Sequence, residues 1–289
     1  MFTITSLLPP LPPLKIVDVG AMEIGGEAAD RAADRPSRRH EALRKATPCE
    51  LIGFEPVSAE CEKLKRKATP HETYLPYFVG DGSKRTFHEC NFAMTSSLYE
   101  PNTALLGKFQ NLEELIRVVK SYPVETTRLD DIPEVRGTDL LKVDVQGAEL
   151  LVFRGGERML DEVLVVQTEI DFVPLYKNQP LFADVDAFLR GRGFQFHKMS
   201  GAGRTFKPLL VNNDVNAAMS QLLWGDAIYV RDFMTFDRMA PIALLKLACI
   251  LHECYGSYDL AALALEAYDA QTGARLQPSY LARLTKPSA

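Results

Sequence analysis

The stretch Leu140-Leu141-Lys142-Val143-Asp144-Val145-Gln146-Gly147-Ala148-Glu149-Leu150 decides the fold class. An apolar run delivers one acid, Asp144, to a polar residue and a glycine, and a second acid, Glu149, follows. Short apolar runs of this kind are the strands of sheets buried on both faces. Open α/β sheets bind their ligands in the crevice beyond the carboxyl ends of such strands. A strand tipped by an acid and a glycine turn therefore sets a carboxylate where a ligand sits. The competing use of Asp144 is as a helix-capping acid, and Glu149 equally suits the first turn of a helix, where the dipole favours it.

The same pattern recurs outward from this stretch. Lys15-Ile16-Val17-Asp18-Val19-Gly20 is a first strand that ends in a glycine turn, with Ala21 after it. Glu50-Leu51-Ile52-Gly53-Phe54-Glu55-Pro56 is a second, tipped by Glu55 and stopped by Pro56, which cannot donate to a ladder. Glu72 to Val79 is a third, with Asp81 just past it, and Glu162 to Ile170 is a fifth, ending in Glu169 and Asp171. Five strand units, each followed by a helix or a loop, give a doubly wound α/β sheet. Asp18, Glu55, Asp81, Asp144 and Glu169 then fall on one edge of it. Like charges crowded on one edge bring no structural gain, so they mark a functional site. A ligand rich in hydroxyl and amino donors satisfies them. S-adenosylmethionine is one: its ribose meets Glu55, its amino-acid portion lies at the Asp18–Gly20 turn, and its adenine amino group reaches Asp81.

At these residues the sequence resembles the FkbM-type methyltransferases, within the class I S-adenosylmethionine-dependent enzymes. The pieces that carry the resemblance are Val17-Asp18-Val19-Gly20-Ala21, Gly53-Phe54-Glu55-Pro56, Val79-Gly80-Asp81-Gly82, Ser97-Leu98-Tyr99-Glu100-Pro101, Leu129-Asp130-Asp131-Ile132 and Leu141 to Gly156. They stand in the family's order over roughly Lys15 to Asp171, and Lys-x-Asp-x-x-Gly-x-Glu is the most specific of them. The resemblance implies a Rossmann-like sheet of seven strands in the order 3-2-1-4-5-7-6, the last antiparallel, and methyl transfer, usually to a hydroxyl. By matched position Asp18, Gly20, Ala21, Glu55, Pro56, Asp81 and Ser97 bind cofactor, and Asp144 and Glu149 lie at the reaction centre, with Glu169 beside them. Asp144 is either the base that takes the hydroxyl proton or a ligand of a metal that lowers the hydroxyl pKa. In the second case Glu169 and Asp171 are the other oxygen ligands, suited to Mg²⁺. One departure stands out: Ile24 occupies a place where the family commonly has glycine, and Gly25 and Gly26 follow it.

Phe194 to Met199 and Asp226 to Arg231 are two late strands with no strong helix between them, an antiparallel edge pair. Arg85 to Phe92 is an added strand or hairpin arm, and Leu112 to Tyr122 mixes helical and strand character. The chain divides into a Pro-rich arm (1–14), a methyltransferase domain (15–232) and a helical appendage (233–289). The apolar face of Ile242, Leu245, Cys249 and His252 in the appendage needs a covering surface, either the body of the chain or a second copy in a homodimer.

The 289 residues have ordinary globular composition, 46% hydrophobic and 25% charged. A net charge of −5 argues against a nucleic-acid partner held by charge, and the basic run Arg35, Arg38, Arg39, His40, Arg44 and Lys45 reads as a solvated helix face. No apolar run is long enough to span a bilayer. Five cysteines without a CxxC pair fit a reducing compartment, the cytoplasm. The expected partner is a small-molecule or glycan acceptor: a sugar hydroxyl, a polyketide-like hydroxyl or a lipid-linked glycan. A dinucleotide-dependent oxidoreductase is the first competing reading, and it lacks GxGxxG after the first strand. A non-catalytic binding module on the same fold is the second. His88 and His197 are secondary candidate bases, and Tyr99, Tyr176 and Trp224 candidate pocket residues.

Overall fold

The computed structural model describes residues 2–22 and 36–285. Among the described residues nine strands form: β1 (Leu14–Val19), β2 (Cys49–Phe54), β3 (Glu72–Leu75), β4 (Lys84–Cys90), β5 (Val118–Glu125), β6 (Leu140–Val143), β7 (Val165–Asp171), β8 (Phe194–Ala202) and β9 (Trp224–Arg231). Seven of them make one sheet in the order β3-β2-β1-β6-β7-β9-β8. Counted within that sheet, the order is 3-2-1-4-5-7-6. β3, β2, β1, β6 and β7 run parallel, and β9 runs antiparallel to both β7 and β8. The remaining two, β4 and β5, pair antiparallel as a separate arm.

The register explains why the central strands are apolar throughout. Ile16 lies beside Leu140 and Leu140 beside Val165, while the next residues, Val17, Leu141 and Val166, line up on the other face. Both faces are covered. Ile16, Leu140, Val165 and Ile228 share one apolar cluster with the C-terminal helices, and Val17, Leu141 and Val166 share another with Leu150, Val152 and Phe153 of the helix Glu149–Gly155 and with Val185 and Leu189 of the helix Phe182–Gly191. All four residues of β6, Lys142 included, are buried. Each fully buried aliphatic side chain here contributes roughly 1.5–3 kcal/mol.

The helix Pro241–Tyr255 opens on proline, whose missing N–H costs nothing at a first helical position. It closes on Gly256 at φ +58°, a left-handed cap. Leu245, Cys249 and His252 are buried, while Ile242 is exposed. The N-terminal segment lies in the same cluster: Ile4 is buried, its N–H donates to Glu253 Oε1 at 2.8 Å, and His252 Nε2 is 2.9 Å from the carbonyl of Phe2. The helices Tyr258–Thr272 and Leu276–Leu284 complete this layer.

One local reading changes and another is resolved. The third strand stops at Leu75 rather than Val79, because Pro76 has no N–H to continue the ladder; Val79 makes only an isolated bridge to Thr127. Leu112–Leu115 is a single helical turn, and the strand beyond it, β5, includes Pro123, which an arm of two edge strands tolerates. Ile24, Gly25, Gly26 and Arg35 lie outside the described residues, as do the side chains of Arg38 and Arg39. Arg44 is ion-paired with Glu72. Among the described residues no helix is long and apolar enough to cross a membrane.

Candidate active site

A cleft opens beyond the carboxyl ends of β1, β2 and β6. It holds about 980 Å³ of free space, part of it open to solvent, and its walls include Gly20, Glu55, Pro56, Ser97, Asp144 and Gln146. Phe54, Tyr77, Val79, Phe87, Met94 and Leu98 line its apolar side.

The local backbone builds the cleft. β1 ends in a turn whose two N–H groups, those of Gly20 and Ala21, both donate to the carbonyl of Phe54 at 3.0 Å. Asp144 N–H donates to the carbonyl of Val19 at 3.0 Å. The ends of three strands are thereby drawn together, and only glycine fits between them. Gly20 has φ +90°, and a Cβ there would stand 2.0 Å from the carbonyl oxygen of Asp144.

Glu55 closes β2. Its Oε1 accepts a 2.8 Å hydrogen bond from Val57 N–H, yet burial pushes its carboxyl up to about 7 against that bond. A buried carboxyl with a raised pKa at a cleft wall is poised for hydrogen-bond donors of a ligand. Ser97 is buried in the loop between β4 and β5. Its hydroxyl donates to the carbonyl of Gln146 at 2.6 Å and accepts from Tyr99 N–H at 3.0 Å, so the two sides of the cleft are tied.

The other half of the site is a nest of acids at the ends of β6 and β7. Glu149 Oε1 accepts from Val145 N–H at 2.9 Å and from Gly147 N–H at 3.3 Å, and burial, with Asp171 adding repulsion, raises its carboxyl to about 8. Burial and then the Asp144 charge hold the Glu169 carboxyl well above its usual range. Asp171 is pushed up to about 7 by burial, against a 2.6 Å hydrogen bond from Gln179 Nε2. Lys142 is the cation in this nest. Burial opposes its charge, but Asp18 and Asp144 outweigh burial and raise its pKa, and its ammonium donates to Asp18 Oδ1 at 2.8 Å.

The residues read from the sequence therefore separate into groups. Gly20, Glu55, Pro56, Ser97 and Asp144 share the cleft. Asp18 lies within β1, beside Lys142 in the register, and faces that ammonium rather than the cleft wall. Ala21 follows the glycine turn and packs its Cβ toward Gly53. Asp81 is held in its own turn by Ser83 N–H at 3.1 Å and by Arg85 Nη2 at 3.1 Å; burial works against its charge, but these donors hold it below the usual carboxylate range. Glu149, Glu169 and Asp171 lie behind Asp144. His88 bonds Ser121 and His197 bonds Ser257, both away from the cleft, and burial lowers both imidazoles. Tyr176 is buried, and Trp224 stacks under Arg204.

The Mg²⁺ reading does not fit these side chains. Among the described residues no group of three or more His, Cys, Asp or Glu is arranged to hold a metal ion. The reason is visible: Gln146 Nε2 donates to Asp144 Oδ1 at 3.0 Å and to Glu169 Oε2 at 2.6 Å, and Gln179 Nε2 donates to Asp171. Amide hydrogens stand where the three carboxyl groups would need a cation. The donor set does fit the ribose and amino-acid ends of a nucleoside cofactor, through the Gly20 cradle and the carboxyl of Glu55. Gln146 and Gln179 are the residues that sequence reasoning did not single out, and Lys142 was read only as the first residue of the motif. Gln146 had the signal of its place in that motif, and Gln179 had none.

A model of the FkbM methyltransferase domain matches residues 18–196, a span running from the first acid of β1 to the start of β8. The chain belongs to the FkbM methyltransferase family. No curated protein matches this FkbM methyltransferase in sequence. Among solved structures it is similar to the magnesium protoporphyrin IX methyltransferase of Synechocystis PCC 6803 with bound SAM, at 10% identity over 76% of this chain and 71% of that one, with a TM-score of 0.37. A second is a putative methyltransferase from Thermoplasma acidophilum, at 9% identity over 77% and 70% of the two chains, with a TM-score of 0.35.

Proposed function

We propose that this FkbM methyltransferase uses S-adenosylmethionine to methylate a hydroxyl of a sugar, glycan or small natural-product-like acceptor. The observation that supports it best is the cleft, where the carboxyl of Glu55, the Gly20 turn and the carboxylate of Asp144 share one wall. Bound there, the cofactor supplies an electrophilic methyl group. Glu55 accepts from the ribose hydroxyls, and the Gly20 turn admits the amino-acid portion. The apolar side formed by Phe54, Tyr77 and Val79 shelters the base. Asp144 would orient the acceptor hydroxyl in line with the methyl group and take its proton as the carbon–oxygen bond forms and the methyl–sulfur bond breaks, with S-adenosylhomocysteine leaving.

Two measurements test this. Titration calorimetry with S-adenosylhomocysteine and with NAD separates methyl transfer from dinucleotide chemistry: the reading requires the first to bind and fails if only the second does. Transfer of labelled methyl to a panel of sugars, glycans and polyketide-like alcohols, with Asp144→Asn alongside wild type, tests the base. Asp144→Asn is expected to bind S-adenosylhomocysteine normally while turnover falls about 10²–10⁴-fold. Normal turnover in the variant removes Asp144 from the reaction centre.

A further inference from the structure

Gln146 sits in a conformation that its own chemistry does not favour. Its φ is +56°, in the left-handed region, and it is neither glycine nor asparagine, the residues that enter that region most readily. Such strain persists where surrounding contacts over-determine it, and it gathers at functional sites. Here the contacts are complete. The side-chain Nε2 donates to Asp144 Oδ1 at 3.0 Å and to Glu169 Oε2 at 2.6 Å. The side-chain Oε1 accepts from the hydroxyl of buried Tyr176 at 3.2 Å, and the main-chain oxygen accepts from Ser97 at 2.6 Å. That hydroxyl has one proton, shared between Gln146 Oε1 and the nearer carbonyl of Thr95 at 2.8 Å.

The next residue seals the arrangement. Gly147 has φ +90°, and a Cβ there would press on Gln179 Nε2 at 3.1 Å and on the Tyr176 ring at 3.2 Å. The two-residue left-handed turn thus brings the β6 end, Tyr176 and Gln179 into contact. A glutamine amide has one acceptor end and one donor end. The two carboxyl groups take both N–H bonds, which turns the acceptor end toward the Tyr176 hydroxyl. With Oδ1 of Asp144 so occupied, Oδ2 makes no hydrogen bond among the described residues, and it is the oxygen left to meet an acceptor.

We propose that Gln146 is the positioning residue of the reaction centre: its amide, held by Glu169 and backed by the Tyr176 hydroxyl, locks Asp144 so that Oδ2 faces the acceptor hydroxyl. This rests on the reading of Asp144 as the base. Gln146 acts through Asp144 and takes no proton itself. The amide also spans the gap between Asp144 and Glu169, which keeps the two carboxyl groups apart without a cation.

The test uses Gln146→Gly, which suits the left-handed backbone and so folds, together with Tyr176→Phe and Asp144→Asn. Gln146→Gly is expected to lower kcat about 10–100-fold, since a small misplacement of a reacting group costs on that order. The acceptor KM and the Kd for S-adenosylhomocysteine stay within about threefold of wild type, because Gly20, Glu55 and the main-chain oxygen that holds Ser97 are kept. Tyr176→Phe is expected to lower kcat about three- to tenfold. In the NMR spectrum of the wild type without ligand, the side-chain amide protons of Gln146 are shifted downfield and protected from exchange. They move in Asp144→Asn, and they exchange faster in Tyr176→Phe. Unchanged kcat in Gln146→Gly overturns the proposal, as does a raised KM at constant kcat, which would make Gln146 an acceptor contact. Amide protons that exchange like those of an exposed glutamine overturn it without any turnover measurement. Failure of the underlying reading looks different: Asp144→Asn keeps its turnover, or the wild type does not bind S-adenosylhomocysteine, and the positioning role falls with it.

Discussion

Replacing Glu55 by glutamine tests the cofactor reading most directly, because the structure fixes both a magnitude and a pH dependence. The carboxyl is buried at the cleft wall with a pKa of about 7, and among the described residues only Val57 N–H donates to it. Two hydroxyls of a bound ribose would donate charge-assisted hydrogen bonds worth about 1.5–3 kcal/mol each. Glutamine keeps one acceptor oxygen and turns an N–H toward the other hydroxyl, so roughly one bond is lost. The Kd for S-adenosylhomocysteine should therefore weaken about 10–100-fold. A carboxyl that titrates near 7 when free and is ionised when bound also makes wild-type affinity fall with acid, about tenfold from pH 8 to pH 6. Glu55→Gln should flatten that dependence.

Stability moves the opposite way, and the sign follows from the same carboxyl. The native pKa, about 7, lies above the ordinary 4.5, so the folded protein holds this proton more tightly than the unfolded chain. The contribution is full below pH 4.5 and is lost as pH rises through 7. At pH 8 Glu55→Gln should then raise the stability of the ligand-free protein, by on the order of 2–3 kcal/mol at most. Calorimetric titration at pH 6, 7 and 8 and thermal unfolding at pH 8 read the two effects. A variant that binds as tightly as wild type refutes the argument, and so does a wild-type Kd that is flat across that pH range.

Other expectations concern the frame around the cleft. Glu149 and Asp171 have native pKa values of about 8 and about 7, above 4.5 and 3.8, so stability should decline from pH 5.5 to pH 8.5, and Glu149→Gln should shallow the decline in the melting temperature. Gly20→Ala meets both a left-handed φ and a carbonyl 2.0 Å from the new Cβ; it should cost several kcal/mol in urea unfolding and abolish cofactor binding, and near-wild-type stability would show that the strand ends part easily. Ile250→Ala empties a fully buried position shared by sheet, N-terminal segment and C-terminal helix, and should cost about 2–5 kcal/mol in a single transition; a separate early transition for the helices would show that they fold apart from the sheet.

The β6 segment was legible because a strand buried on both faces leaves an unbroken apolar run, and Leu140 to Val143 is one. The acid at its tip and the glycines at Gly20 and Gly147 were legible for a related reason: special backbone positions restrict residue choice. What the chain did not announce depends on register. Asp18 and Lys142 stand 124 positions apart, yet β1 and β6 lie parallel with these two residues side by side, so they pair. The burial of Ile4 depends on Glu253 in the same way, at a separation of 249. Such pairings are products of topology, and no local periodicity encodes them.

The acids were the part most open to misreading, and register again decides their use. Asp18, Lys142 and Gln167 form one row across β1, β6 and β7, and Glu169 pairs with Asp226 of β9 two residues further along. Side chains two apart share a face, so Asp144, Glu169 and Asp226 project from the same side as Lys142. One ammonium among these carboxyl groups cannot offset them all. The imbalance is resolved by proton retention at Glu169 and Glu149 and by amide hydrogens from Gln146 and Gln179. A row of acids at strand ends looks in sequence like a cation site, because a cation and a row of N–H donors answer the same electrostatic need. The residue that tells them apart here is Gln146, an amide placed between the two acids that a metal would have joined.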